Sequence, residues 1–341
     1  MPKPLEASVC VGITATVPVE ALLAAGRTPI DLNNVFITGP SPAADIQAAE
    51  SRGFPVNCCA WIKGIYGAAH RLGIRQVVGV TQGDCSNTHA LMELWTSEGI
   101  RVHHFEYPYP PSRLRLNSEL DQFCAAFGTT RLKAEAMRER LEPTRAILRR
   151  LDELTWRTGQ VTGAENHLWL ISSTDFGGDV DDFHDRAAAL LAEAERRSER
   201  RADLRLGVIG IPPICSGLHE FVESQGALVV FNEFQRQFAM LPPSANLTEQ
   251  YLRYTYPYGV AMRIEDIRTQ VEHRRLDGLI HYVQSFCFRH LQDRLIRESL
   301  GVPVLTLEVD RPGTLDGRGR TRIEAFLELL RGKRRPENAQ A

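Results

Sequence analysis

Three stretches of this chain carry cysteine in settings suited to chemistry. VVGVTQGDCSNT (77–88) reads as a short buried strand over 77–80 that runs into a polar turn presenting Cys85. LDGLIHYVQSFCFRH repeats the construction, with a strand over 278–283, a polar turn and then Cys287. FPVNCCAWIKGIYG sets Cys58 and Cys59 at the opening of a helix. A thiol at a helix amino end lies among unpaired backbone N–H groups, whose partial positive charge favours the thiolate, the form that binds metal. Three thiols presented alike suggest a shared metal site. Their wide spacing is, by itself, also what buried core cysteines show, because a thiol packs as a small hydrophobe. Cys215, in PPICSGLHE, follows a strand and opens a helix, a weaker fourth candidate, whereas Cys10 and Cys124 lie in apolar segments and read as core.

Other chemical groups sit near the expected strand ends. SVCVGITA (8–15) reads as the first strand, and a helix VEALLAAG follows Pro18 and stops at Gly26. Thr16 is a candidate N-cap of that helix, and Glu20 lies in its first turn, where the dipole favours a carboxylate. Proximity to strand ends makes Thr16, Glu20 and Ser86 candidate catalytic or supporting residues. His89, His104, His281 and His290 neighbour the cysteine turns and read as hydrogen-bonded structural histidines. Arg318, Arg320 and Arg322, beside Gly317 and Gly319, either clamp a phosphate or lie in a solvated loop with Arg322 paired to a carboxylate.

Strands that alternate with helices imply a parallel sheet, which positions such turns at one edge. The alternation occurs twice. The expected organisation is an N-terminal α/β domain (1–111), a helical bridging region (112–203), a C-terminal α/β domain (204–332) and a loose tail (333–341). The fold class is therefore α/β, with two doubly wound, Rossmann-like parallel-sheet domains. Within the first, Leu91, Leu94 and Trp95 form the apolar side of the helix after Cys85, and TPIDLNNVFITG gives extended pieces around Asn33 and Asn34. In the bridging region TGAE (162–165) fits a capping box, SSTDFGGDVDD reads as a polar loop, and the charge runs read as solvated helix faces. LTEQYLRYTYPYG is a tyrosine-rich excursion, and DRPGTLDGRGR is a Gly/Arg loop before the closing helix.

Bulk properties narrow the function. A chain of 341 residues can bury two cores. A net charge of −2 does not mark the protein for nucleic acid or anionic membranes. No apolar run approaches the roughly 18 residues of a membrane span, and MPKPLEASVCVG lacks a secretory pattern, so a cytoplasmic location is expected. There the seven cysteines are better suited to metal or redox chemistry than to disulfides. No Gly-x-Gly-x-x-Gly turn, Walker loop or Gly-x-Ser-x-Gly elbow occurs, so nucleotide hydrolysis by this chain is not expected. No Cys-x-x-Cys or His-Glu-x-x-His occurs either.

Five stretches, in order, resemble the 2-hydroxyacyl-CoA dehydratase and benzoyl-CoA reductase family of iron–sulfur proteins. VPVEALLAAGRTPIDL resembles its opening Pro-x-Glu helix and Gly-x-x-Pro turn. NCCAWIKGIYG, with Asn57, Cys59 and Lys63, GDCSNT and DGLIHYVQSFC resemble its three cysteine segments. DGRGRTRIEAFLE is similar to its closing Gly-Gln-x-x-Thr-Arg signature, with Arg318 in the glutamine place. The resemblance implies that Cys59, Cys85 and Cys287 ligate one 4Fe-4S cluster whose fourth iron stays open, Cys58 being the alternative to Cys59. It implies a separate ATP-dependent activator protein that delivers a low-potential electron, and a homo- or heterodimer with a related subunit. The implied reaction is loss of water from a 2-hydroxyacyl-CoA through a ketyl radical. Alternatives are reduction of an aromatic thioester, a double-cubane (8Fe) reductase that does without coenzyme A, and a non-catalytic cluster-binding partner subunit.

Overall fold

Short runs of Val, Ile and Leu become buried parallel strands. The computed structural model describes residues 9–334, so Ser8 and residues 335–341 of the expected tail lie outside it. The strands are β1 (Cys10–Ile13), β2 (Thr28–Asp31), β3 (Gln76–Gln82), β4 (Arg101–Glu106), β5 (Leu204–Gly210), β6 (Cys215–Ser216), β7 (Ala227–Asn232), β8 (Gly278–Val283), β9 (Val304–Glu308) and β10 (Gly313–Thr314). They form two four-stranded sheets of order β2-β1-β3-β4 and β7-β5-β8-β9, plus a small β10-β6 pair, and all pairings are parallel. Helices flank both large sheets, as the doubly wound, Rossmann-like expectation requires. Each sheet reverses its strand order beside its first strand. That makes β1/β3 and β5/β8 the places where ligand crevices open beyond the strands' carboxyl ends.

The chain gathers into two compact units. The first contains the chain up to Ala146, Ile171–Asp185 and Phe238–Tyr258; the second contains Ile147–Leu170, Arg186–Gln237 and the chain from Gly259 on. In the first unit, Leu32, Val77, Leu91 and Trp95 are each 1% exposed or less in one core. Burying a Val, Leu or Ile side chain fully contributes about 1.5–3 kcal/mol. The core of the second unit includes Ile209, Phe231, Leu279 and Ile296. The helix Ala60–Arg71 lies close to its neighbours because Gly64 and Gly67 lack a Cβ. A Cβ at Gly67 would sit 2.2 Å from the carbonyl oxygen of Asp45.

Local capping moves several boundaries. Asp31 accepts from the N–H of Asn33 at 2.9 Å, so Asn33 and Asn34 belong to a helix, Leu32–Ile37, not to extended pieces. Thr16 does not cap the next helix: Val19–Ala24 starts from Pro18. The helix Ser86–Ser97 buries Thr88, Leu91, Met92 and Trp95, a stripe that turns Leu94 out to solvent. The capping box is present, with Glu165 N–H on Thr162 Oγ1 at 3.0 Å and Thr162 N–H on Glu165 Oε2 at 2.9 Å. Asp316 Oδ1 accepts from Gly319 N–H at 2.7 Å, so the Gly/Arg run is helical from Gly317 and not a loop.

Two further expectations are corrected by packing. The polar segment SSTDFGGDVDD is only partly solvated: Ser173, Thr174, Asp175 and Phe176 are buried in the first unit, while Gly177, Asp179, Asp181 and Asp182 are exposed. The charge run of helix Arg131–Arg157 is not wholly solvated either. Arg138, Arg145 and Asp152 recur on one helical face and are buried, each with a partner from its own unit.

Candidate functional site

Helix amino ends position the cysteines. Cys59 is the N-cap of helix Ala60–Arg71, Cys85 the N-cap of Ser86–Ser97, and Cys287 the N-cap of the 3-10 helix Phe288–Gln292. All three, with Cys58, are partly exposed, whereas Cys10, Cys124 and Cys215 are buried. Cys59 and Cys85 pack against the same core of the first unit. Cys85 follows β3 and Cys287 follows β8, strands that flank the crevice of their respective sheets. Neither unit, among the described residues, gathers three His, Cys, Asp or Glu side chains into a group that could hold a metal ion.

The turns around these thiols are tied down. Asp84 accepts from Cys85 N–H at 2.8 Å and from Thr88 Oγ1 at 3.0 Å, and Cys85 Sγ lies 3.7 Å from Thr88 Oγ1. The expected thiolate is not what this environment favours in the metal-free protein. Burial pushes the Cys85 thiol up and the Asp84 charge adds to it. The Thr88 hydroxyl and the N–H groups of Thr88 and Asn87 pull the other way without winning. A coordinated metal deprotonates such a thiol outright, so the environment is compatible with a ligand. At the other turn, buried Lys63 donates to Val56 O at 2.9 Å and to Glu50 Oε1 at 2.7 Å, closing the chain just ahead of Cys58 and Cys59. Lys63→Met should lower stability to urea by about 1–3 kcal/mol. It should also speed reaction of Cys58 and Cys59 with a thiol-titrating disulfide; an unchanged rate would mean that the turn holds without the ammonium.

The other candidates fall into different surroundings. Ser86 is exposed beside Cys85. Thr16 is buried, its carbonyl accepting from Tyr107 Oη at 2.8 Å while its own hydroxyl has no partner among the described residues. Glu20 is fully buried; Arg145 Nη2 and Gln250 Nε2 donate to its Oε1 at 2.6 and 2.7 Å, and Tyr251 Oη donates to its Oε2 at 2.8 Å. Its carboxylate is thus committed on every side. His281 is buried with Nδ1 2.6 Å from Asp293, a structural role as expected. The arginine run is not the expected solvated loop with Arg322 paired to a carboxylate. Arg322 donates to Thr306 O at 2.7 Å, Arg320 donates to Leu315 O at 3.1 Å and stacks on Phe221, and Arg318 is exposed.

Residues that sequence reasoning passed over form an aromatic cluster in the first unit. Tyr251, Tyr254 and Tyr258 surround Tyr107. The only signal was their density in one short stretch, which identified no contact. Gly83 has φ +108°, and a Cβ there would meet Pro257 at 2.6 Å, so glycine lets the tyrosine segment close against the Cys85 turn.

Among the described residues no helix is long and apolar enough to cross a membrane. No curated protein matches the chain. A family model described as 2-hydroxyglutaryl-CoA dehydratase, D-component, matches residues 14–330, from the crevice loop after β1 to the closing helix. The chain belongs to that family.

Proposed function

We propose that this chain is the iron–sulfur subunit of a cytoplasmic, oxygen-sensitive enzyme of the 2-hydroxyacyl-CoA dehydratase type. Cys59, Cys85 and Cys287 are its proposed 4Fe-4S ligands, with Cys58 the alternative to Cys59. The observation that supports them is their shared setting: a partly exposed thiol at a helix N-cap, in contrast to the buried Cys10, Cys124 and Cys215. When bound, such a cluster would pass a low-potential electron from an ATP-dependent activator protein to the thioester, and hydroxide would leave from a ketyl radical of the substrate. The chain's own residues bind and orient the substrate. Thr16 and Ser86 are proposed to face the acyl-CoA. Glu20 is a positioning residue: its bonds to Arg145, Gln250 and Tyr251 hold the turn that carries Thr16. A homo- or heterodimer with a related subunit completes the proposed enzyme.

Anaerobic reconstitution followed by iron and sulfide analysis tests the reading. About four irons per chain are expected for a single cubane, whereas about eight would favour the double-cubane alternative. Cys85→Ala and Cys287→Ala should lose most of the iron, and Cys124→Ala should keep it. Full iron content in Cys85→Ala and Cys287→Ala would remove the ligand assignment. Turnover of a thioester panel with a reduced activator then separates enzyme from passive partner.

A further inference from the structure

We infer that the Tyr258 hydroxyl donates a hydrogen bond to the carbonyl oxygen of an acyl thioester bound in the crevice of the first unit. The inference rests on the dehydratase reading and deepens it. Tyr258 is 4% exposed, and its Oη has no hydrogen-bond partner among the described residues. Two of the neighbouring tyrosines differ: Tyr107 Oη donates to Thr16 O at 2.8 Å, and Tyr251 Oη reaches Val17 O at 3.0 Å. A buried hydroxyl without a partner is costly enough that native proteins rarely leave one.

The surroundings point to a ligand as the missing partner. The Tyr258 ring stands edge-on to Tyr107, centroids 6.1 Å apart, and Pro257, its chain neighbour, lies against Gly83, two residues before Cys85. On the loop after β1, the hydroxyls of Thr14 and Thr16 are likewise buried without partners among the described residues. Hydroxyls lacking acceptors thus sit on both the β1 loop and the tyrosine segment of one unit, where an open α/β sheet binds ligands. Burial raises the Tyr258 pKa, so the phenol stays protonated and can only donate or accept as O–H. A thioester carbonyl is an acceptor that suits it, and a donor aimed there would also stabilise negative charge growing on that oxygen.

The test uses the full-length chain, purified anaerobically, with lactoyl-, 2-hydroxybutyryl- and 2-hydroxyglutaryl-CoA, each paired with its thioether analogue lacking the carbonyl oxygen. Tyr258→Phe should bind the thioester about three- to tenfold more weakly and the thioether unchanged. Without ligand it should melt no lower than wild type, because the hydroxyl it loses has no partner among the described residues. Equal binding of both compounds by variant and wild type, an equal loss for both, or a lower melting temperature without ligand would each overturn the inference and leave the dehydratase reading standing. Wild-type protein that binds none of the thioesters would overturn both.

Discussion

Arg145→Met should destabilise the protein by about 3–5 kcal/mol, the usual result of removing one partner from a buried ion pair. The Arg145 and Glu20 side chains are 4% and 0% exposed, and their closest atoms are 2.6 Å apart. Burial alone would push the Glu20 carboxyl up. The Arg145 charge, followed by the hydrogen bonds from Gln250 and Arg145, outweighs burial and holds the carboxyl below its usual range. Methionine fills the stem volume of arginine but leaves the carboxylate without its counter-ion. The sign of the pH effect follows. A lowered carboxyl pKa contributes stability above the unfolded pKa and loses it as pH falls. The gap between wild type and variant should therefore be widest near neutral pH and narrow as pH approaches 4, measured by urea unfolding. The double variant with Glu20→Gln should recover part of the loss, because no unpaired charge remains. A loss that does not change with pH would show that the guanidinium contributes packing, not charge.

Why this network was invisible in the sequence is a matter of distance along the chain. Glu20 could be placed in a first helical turn from its neighbours alone. Its partners Arg145, Gln250 and Tyr251 lie 125, 230 and 231 residues away, and no local pattern links them. The strands were legible because their apolar runs are local: Val77, Val78 and Val80 are buried as their residue types require. The cysteine turns were legible for the same reason, as strand, turn and helix follow one another directly. The capping box was readable from four residues. Asn33 and Asn34 misled because Asp31 overrides their turn preference by capping a helix. The Cys85 thiolate expectation counted the helix amino end but not the burial and the Asp84 charge that oppose it. The inward charges of helix Arg131–Arg157 share a face with apolar positions, and only their partners across the fold reveal which face is buried.

Asp175→Asn should reshape the pH dependence of stability in a direction opposite to that of Arg145→Met. Asp175 and Asp31 are both buried in the first unit; Asp31 N–H donates to Asp175 Oδ2 at 2.7 Å, and Gly177 N–H donates to Asp175 Oδ1 at 2.9 Å. Burial pushes the Asp175 carboxyl up, the Asp31 charge adds to it, and the result is a pKa of about 7. Burial also raises Asp31, against the hydrogen bonds from Thr174 and Asn33. Between about pH 4 and pH 7 the folded state then holds a proton that the unfolded chain has released. Stability from this site is complete below the unfolded pKa and falls as pH rises through that window, by on the order of 4 kcal/mol. Asparagine carries no charge to bury, so it should remove this slope. It also offers one acceptor oxygen to two N–H donors, so at pH 4 it should be the less stable protein. Urea unfolding at pH 4, 6 and 8 should show the difference moving in favour of Asp175→Asn as pH rises. A difference that stays constant across those pH values would mean that Asp175 ionises in the fold as freely as it does in water.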